Sequence, residues 1–223
     1  IDRGHRMVED ENEADILVFN TCSVRDQAER KAVGKLGILK RLKRDKPDVI
    51  IGVIGCMAQR RGEELLKQIP HLDFVLGTEQ AHLLPEVVER EIERRRQICL
   101  TDENPEVIHG LAKHLKGPKV SDFIAIMRGC DMFCSYCIVP HVRGREKSRP
   151  PEDVVAEAEK LVETGVKEVF LLGQNVSAYG LNQAAEEVPK HSPFGDLLRR
   201  LNAIDGLKRI RFTSPHAKFF NDA

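Results

Sequence analysis

The chain has 223 residues, which is enough for one large or two modest domains. Apolar residues make up 41%, and 35 basic side chains balance 35 acidic ones, so the whole-chain charge does not indicate a polyanionic partner. The sequence contains neither an apolar run of the roughly 18 residues that a membrane span needs nor a secretory signal pattern. It therefore predicts a cytoplasmic protein without membrane contact.

Short apolar runs alternate with amphipathic charged segments in the first part of the chain, a pattern typical of parallel strands joined by helices. Strands are predicted at residues 15–20, 49–54 and 74–76, and helices at 24–44, 59–68 and 83–96. We expect an N-terminal parallel-sheet α/β domain over residues 1–100, followed by a polar linker over residues 101–120 that contains glycine and proline.

The same alternation restarts after the linker. Strands are predicted at residues 123–127, 169–172 and 209–213, helices at 151–164 and 194–203, and a polar loop at 177–193. Three strand–helix repeats in this space predict the first part of a TIM-type βα barrel over residues 121–223. The start at Ile1 and the stop at Ala223 lead us to expect a piece of a longer protein.

Three of the six cysteines follow the predicted strand 123–127 with the spacing C-x3-C-x2-C: Cys130, Cys134 and Cys137. A cubane iron–sulfur cluster has four irons with one thiolate each, so three cysteines leave one iron free to chelate a small molecule. Ligands of parallel α/β folds bind beyond the carboxyl ends of strands, which is where this loop lies. The alternative is a zinc site completed by His141.

Two further cysteines, Cys22 and Cys56, each stand between an apolar strand and the start of a helix. A helix N-terminus favours the thiolate that binds metals, and adjacent parallel strands would bring the two residues together. We therefore predict that both are metal ligands. Cys99 follows a charged run and is interpreted as a bystander.

These motifs resemble those of a known family along nearly the whole chain: NTCSVRDQAERKAVGKLG, IGCMAQR, DFVLGT, MRGCDMFCSYCIVPHVRGREKSRP, KEVFLLGQNVSAYG and IRFTSPH. They are similar to the methylthiotransferases, radical S-adenosylmethionine (SAM) enzymes that insert a methylthio group into a C–H bond. The likeness is greatest to the branch that modifies C2 of N6-isopentenyl(dimethylallyl)adenosine next to the anticodon of tRNA. Sibling branches act on threonylcarbamoyladenosine in tRNA or on an aspartate of ribosomal protein S12.

The resemblance implies two [4Fe-4S] clusters and SAM as cofactors. The catalytic residues Cys130, Cys134 and Cys137 would hold the radical SAM cluster. Cys22 and Cys56 would hold an auxiliary cluster that supplies sulfur, with its remaining ligand before Ile1. The rest of the barrel and a C-terminal RNA-binding β-domain would lie after Ala223.

The resemblance further implies cofactor contacts from residues around the cysteine loop and the next strand end. These are Tyr136, Arg143, Arg149, Gly173, Gln174 and Asn175. The loop 141–149 holds four basic residues, which suits contacts with tRNA phosphates or with the cofactor carboxylate; the alternative is a solvated charged loop. The expected partners are a tRNA anticodon loop that carries N6-isopentenyladenosine, an electron donor and a sulfur or cluster supplier, and the protein is expected to be a monomer.

A non-enzymatic interpretation also remains open at this stage. The same cysteines would serve an iron–sulfur or zinc module that performs no radical chemistry. Such a module would bind metal but not SAM, so the two interpretations differ in cofactor binding.

Overall fold

The computed structural model describes residues 4–94, 96–102, 119–181, 191–213 and 215–219. The chain forms two compact units. The first contains the described residues up to 102 together with His141–Arg143, and the second contains the other described residues from 119 onward. Most of the predicted linker 101–120 lies outside the described residues, so the predicted domain limits stay a prediction.

The first unit is built on a four-stranded parallel sheet in the order β1-β2-β3-β4. Its elements follow one another along the chain as β1 (Ile16–Thr21), α1 (Asp26–Asp45), β2 (Ile50–Gly55), α2 (Cys56–Gln68), β3 (Phe74–Leu76), α3 (Leu84–Arg94) and β4 (Ile98–Leu100). A short 3-10 helix, Ala81–Leu83, precedes α3. The strand β4 was not predicted, because its three apolar residues follow closely on the charged end of the preceding helical segment.

Side chains of β2 alternate between two apolar clusters, as expected for a strand that is covered on both faces. Ile51 and Val53 pack with α1 and α2, whereas Ile50 packs with Phe74 and with Val87 of α3. The continuous apolar run of β2 therefore reflects burial on both sides, which confirms the predicted α/β class for this unit.

Two helix starts differ from the prediction. Helix α1 begins at Asp26 rather than at residue 24, because Arg25 has extended backbone angles. Helix α2 begins at Cys56 rather than at residue 59, because Gly55 reverses the chain directly at the strand end with φ +95°.

The second unit has a three-stranded parallel sheet in the order β5-β8-β9, formed by β5 (Ser121–Ala125), β8 (Glu168–Leu172) and β9 (Arg209–Phe212). Helices α5 (Pro151–Glu163) and α6 (Pro193–Asn202) connect these strands and cover one face. The parallel strand–helix repeats confirm the predicted partial barrel. Part of the predicted loop 177–193 lies outside the described residues.

The connection from β5 to α5 contains elements that the sequence did not predict. The predicted strand 123–127 is divided, because β5 ends at Ala125 and a separate strand β6 (Met127–Arg128) pairs antiparallel with β7 (Lys147–Ser148). The short helix α4 (Val139–Arg143) lies between them. Among the described residues, no helix is both long and apolar enough to cross a membrane.

A first prediction concerns the pair Gly52 and Phe74, which are register partners on β2 and β3. A Cβ at residue 52 would lie 2.0 Å from the Phe74 ring. We expect Gly52→Ala to lower the free energy of unfolding by about 1–3 kcal/mol, because the buried ring has to shift. Urea unfolding followed by circular dichroism measures this.

The control for this prediction is Gly37→Ala on helix α1, where a Cβ meets nothing within 4 Å. There alanine should stabilise by roughly 0.5–1 kcal/mol, because glycine is a poor helix former. Equal effects at both sites would contradict the proposed packing of the ring over Gly52.

Candidate metal centres and cofactor site

The cysteine triad lies on the loop between β6 and α4, beyond the carboxyl end of β5. Cys130 is buried, and Cys134 and Cys137 are partly exposed. The β6–β7 ladder closes the base of the loop, and the backbone N–H of Cys130 donates to the carbonyl oxygen of Gly144 at 3.2 Å. The first cysteine is therefore fixed to the framework, while the other two lie nearer the surface.

Gly129, directly before Cys130, makes this closure possible. Its φ is +72°, and a Cβ there would lie 2.0 Å from the carbonyl oxygen of Arg145. Both the backbone conformation and the close approach of the returning chain exclude a side chain. The loop geometry around Cys130 thus requires glycine at residue 129.

The Asp131 carboxylate links the start of the cysteine loop to the returning segment at Arg145 and Glu146. It accepts a hydrogen bond from the Glu146 backbone N–H at 3.0 Å and pairs with the Arg145 guanidinium at 3.2 Å. The same guanidinium stands over the ring of Phe133, 5.4 Å from its centroid. Phe133 has a positive φ of 45°, which is uncommon for a bulky residue, so these contacts brace a strained turn between Cys130 and Cys134.

The pKa of the Cys130 thiol reflects its burial and the charged groups around it. Burial raises the pKa of the Cys130 thiol, and a hydrogen bond with the Met132 backbone lowers it in part. Negative charge on Glu146, Cys137 and Cys134 adds to the upward shift. All three cysteines lie on one loop between β6 and α4, and their role as cluster ligands stays a prediction.

Glu146 is a buried acid that the sequence analysis did not single out. Burial raises its pKa to about 8, and the charge of Asp131 contributes. Its Oε1 accepts a hydrogen bond from Ser148 Oγ at 3.4 Å, whereas Oε2 is buried without a hydrogen-bond partner among the described residues. When this carboxyl is ionised, its charge raises the pKa of the Cys130 thiol.

Within the described ranges, no three histidine, cysteine or acidic side chains gather around the position of a single metal ion. Cluster ligands obey a different geometry, because each thiolate of a cubane binds its own iron. Three thiols on one rigidly closed loop fit that donor set.

The carboxyl end of β8 carries buried polar atoms that lack partners. In the part of the chain that the structure describes, Gln174 Oε1 and Asn175 Nδ2 make no hydrogen bond. Asn175 is only 2% exposed, and its Oδ1 already accepts a hydrogen bond from Ser177 Oγ at 3.0 Å. An unpaired buried acceptor and donor are costly unless a ligand satisfies them. The ammonium and carboxylate groups of SAM have the matching chemistry.

Gly173 allows the end of β8 to approach β6, the strand that leads into the cysteine loop. A Cβ at residue 173 would lie 2.5 Å from Cγ of Met127, two residues before Gly129. Within the second unit, the predicted cofactor residues 173–175 thus lie next to β6, the strand that leads into the cysteine loop. This arrangement fits a cofactor that contacts both.

The other predicted cofactor residues differ in their surroundings. Tyr136 is 90% exposed on the loop. Arg149 is 8% exposed, donates to the Ala125 carbonyl oxygen at 2.9 Å and pairs with Glu157 at 2.6 Å, and these contacts account for its burial. Arg143 ends helix α4, is half-buried and groups with the first unit. Cofactor roles for these three residues stay predictions.

Cys22 and Cys56 directly follow the paired residues Thr21 and Gly55 at the carboxyl ends of the adjacent strands β1 and β2. Thr21 Oγ1 donates to the Ile54 carbonyl oxygen at 2.8 Å. A Cβ at residue 55 would lie 2.6 Å from the Thr21 carbonyl oxygen, so glycine allows these strand ends to approach. The structure places the two cysteines at equivalent positions of neighbouring parallel strands.

Their immediate environments are not equivalent. Cys56 is 3% exposed and begins helix α2, as its sequence context predicted. Cys22 is exposed and lies in an irregular segment before α1 rather than at a helix start, and its Sγ accepts a hydrogen bond from the Val24 N–H at 3.4 Å. Cys99 lies inside β4, which is separated from β2 by β3, and burial raises the pKa of its thiol.

Comparison with known proteins agrees with this arrangement. Residues 1–77 match the model described as "Uncharacterized protein family UPF0004", and residues 124–219 match the radical SAM superfamily. The second unit, with its cysteine loop at the end of a parallel strand, therefore defines a radical SAM protein, a class that implies a [4Fe-4S] cluster and SAM.

Curated relatives align with almost the whole chain. A protein of Syntrophus aciditrophicus (strain SB) is 47% identical over 219 residues, which is 97% of this chain and 46% of that protein. A protein of Opitutus terrae is 42% identical over 250 residues, covering 99% and 52%. A protein of Geobacter metallireducens is 47% identical over 217 residues, covering 96% and 48%. All three are named tRNA-2-methylthio-N(6)-dimethylallyladenosine synthase.

The chain belongs to the methylthiotransferase family of radical SAM proteins, as its motifs predicted. It spans about half the length of the curated relatives that it matches. Among solved structures, the radical SAM methyltransferase TsrM from Kitasatospora setae matches with a TM-score of 0.47 and 15% identity, over 75% of this chain and 38% of that chain.

A second prediction tests the closure of the cysteine loop. Gly129→Ala should prevent the loop from closing, because the new Cβ would overlap the Arg145 carbonyl oxygen. We expect anaerobically reconstituted protein to lose the iron that the triad binds, which iron analysis and visible absorption measure. The control Gly34→Ala, where a Cβ meets nothing within 4 Å, should keep that iron. Unchanged iron content in Gly129→Ala would refute the requirement for this loop geometry.

Proposed function

We propose that the full-length protein is a radical SAM methylthiotransferase that modifies C2 of N6-dimethylallyladenosine next to the anticodon of tRNA. The observation that carries this proposal is the alignment of 96–99% of the chain, at 42–47% identity, with relatives named for that activity. The geometry of the cysteine loop supports it, because the triad and the unpaired polar atoms of the β8 end lie in one unit.

The triad would hold the radical SAM cluster through Cys130, Cys134 and Cys137. When bound, the cluster and SAM together supply a 5′-deoxyadenosyl radical able to take hydrogen from an unactivated carbon. The protein contributes binding and orientation. Asp131 and Gly129 keep the loop closed around Cys130. The side-chain atoms Gln174 Oε1 and Asn175 Nδ2 would bind the amino acid part of SAM.

A second [4Fe-4S] cluster belongs to the same proposal. Cys22 and Cys56 would provide two of its ligands, and their adjacent strand ends support this assignment. This cluster would supply the sulfur that is transferred. An electron donor, a supplier of sulfur or of clusters, a monomeric state and a cytoplasmic location, where tRNA is available, complete the proposal.

The substrate is tested by mass spectrometry of tRNA nucleosides from a deletion strain. Loss of 2-methylthio-N6-isopentenyladenosine, with its unmethylthiolated precursor accumulating, is the expected result. An unchanged amount of 2-methylthio-N6-isopentenyladenosine in the deletion strain would overturn the assignment. Loss of the methylthio group from threonylcarbamoyladenosine, or from the aspartate of ribosomal protein S12, would assign the protein to a sibling branch.

A third prediction separates the roles of the cysteines in the full-length enzyme. Cys130→Ala should abolish formation of 5′-deoxyadenosine after dithionite reduction, because the radical SAM cluster loses a ligand. Cys22→Ala should retain that product but lose methylthiolation, and the control Cys99→Ala should retain both. Chromatography of the reaction mixtures measures both 5′-deoxyadenosine and the methylthiolated product. Formation of 5′-deoxyadenosine by Cys130→Ala would contradict the assignment of the triad.

A fourth prediction concerns the unpaired oxygen of Gln174. Gln174→Leu removes an acceptor for the SAM ammonium group and should weaken binding by about 1.5–3 kcal/mol, on the order of 10- to 100-fold in the dissociation constant. Gln174→Glu keeps an acceptor and should bind SAM at least as tightly. Equilibrium dialysis with cluster-loaded protein distinguishes the two. Equal affinities of the Leu variant and the native protein would exclude this contact.

A further inference from the structure

Glu29 is a buried acid of the first unit that lies outside both proposed ligand sets. It belongs to the first turn of α1 and is 8% exposed. Ser23 Oγ donates to its Oε2 at 3.2 Å, the Arg60 guanidinium donates to its Oε1, and Arg61 Nη1 lies 3.7 Å from the same oxygen. The buried carboxylate thus accepts hydrogen bonds from one hydroxyl and one guanidinium group and lies close to a second guanidinium group.

The partners of Glu29 belong to the two segments that carry the cysteines. Ser23 directly follows Cys22, and Arg60 lies in the second turn of the helix that Cys56 begins. Pairing between β1 and β2 ends with Thr21 and Gly55, one residue before each cysteine. Beyond the last ladder pair, Glu29 therefore connects the Cys22 segment to the Cys56 helix.

We infer that Glu29 is a positioning residue that sets the separation and orientation of Cys22 and Cys56 for the second cluster. The inference rests on the proposed function, since it requires these cysteines to be cluster ligands. Cys22 needs such support more than Cys56 does, because it is exposed and lies in an irregular segment rather than in a helix.

The charge of Glu29 explains why a neutral residue of the same size would not replace it. Its Oε2 accepts from Ser23 and its Oε1 from Arg60, and the Arg61 guanidinium adds an ionic contact at 3.7 Å, an arrangement that suits a carboxylate. Glutamine would place an amide NH2 where one of these oxygens accepts. Partners that orient metal ligands in this way typically change metal affinity by about 10- to 100-fold.

The experiment uses the full-length protein with Cys130, Cys134 and Cys137 all replaced by alanine, so that only the second cluster can form. Glu29→Gln is compared with Glu29→Asp, which keeps the charge, and with Asp26→Asn. Asp26 forms an exposed ion pair with Arg30 on the same helix and serves as the matched control. After anaerobic reconstitution, iron content, the electron paramagnetic resonance spectrum of the reduced cluster and iron release to a chelator are measured.

We expect Glu29→Gln to release iron on the order of 10-fold faster and to shift the resonance spectrum, with partial rescue by Glu29→Asp and no change in Asp26→Asn. If Glu29→Gln does not fold, Arg60→Gln removes one donor from the same oxygen and should show a smaller change of the same kind. An altered spectrum separates positioning from general stability, because a purely structural role would lower the unfolding temperature alone.

Two results would overturn the inference. An unchanged spectrum and release rate in the folded Glu29→Gln variant, or in Arg60→Gln if the former does not fold, would refute the role of Glu29 while leaving the second cluster in place. Full retention of iron by Cys22→Ala in the same background would refute the second cluster itself, and the role of Glu29 with it.

Discussion

One constraint acts on a cysteine of each group, Cys56 and Cys130: a chain that leaves a strand must turn at once to place the next side chain beyond the strand end. In each unit a glycine with positive φ makes that turn directly before a cysteine, as Gly55 before Cys56 and Gly129 before Cys130. In each case a backbone oxygen occupies the place that a Cβ would need. The same Gly-Cys pair thus places a thiol beyond a strand end in two different sheets.

The support around the two thiols differs in its chemistry. In the second unit the loop is fastened to itself, by the β6–β7 ladder and by the carboxylate of Asp131. In the first unit the cysteines lie on separate segments, and the buried carboxylate of Glu29 connects them. A continuous loop needs only local closure, whereas ligands from two elements need a link between those elements.

The sequence predicted the strands and helices of both sheets well, because their apolar residues follow simple periods, as the fully apolar run of β2 shows. It predicted the positions of the cysteines through their strand ends and spacing. It missed β6 and β7, since strands of two residues carry no period, and it missed β4, whose three apolar residues follow closely on a charged run. It also missed Asp131, Glu146 and Glu29, because their importance arises from burial and from partners distant in the chain. A charged residue after a cysteine has no distinguishing pattern, whereas the glycines directly before Cys56 and Cys130 mark both turns in the sequence.

The central claim is that Cys130, Cys134 and Cys137 hold a cluster with one iron free to bind SAM. Mössbauer spectroscopy of the full-length, iron-57-enriched protein tests it most directly when spectra are recorded without and with SAM. We predict that the signal of one iron site of the triad cluster shifts when SAM is added, while the thiolate-bound sites do not. Spectra that are identical with and without SAM, at a fully assembled triad cluster, would contradict the account.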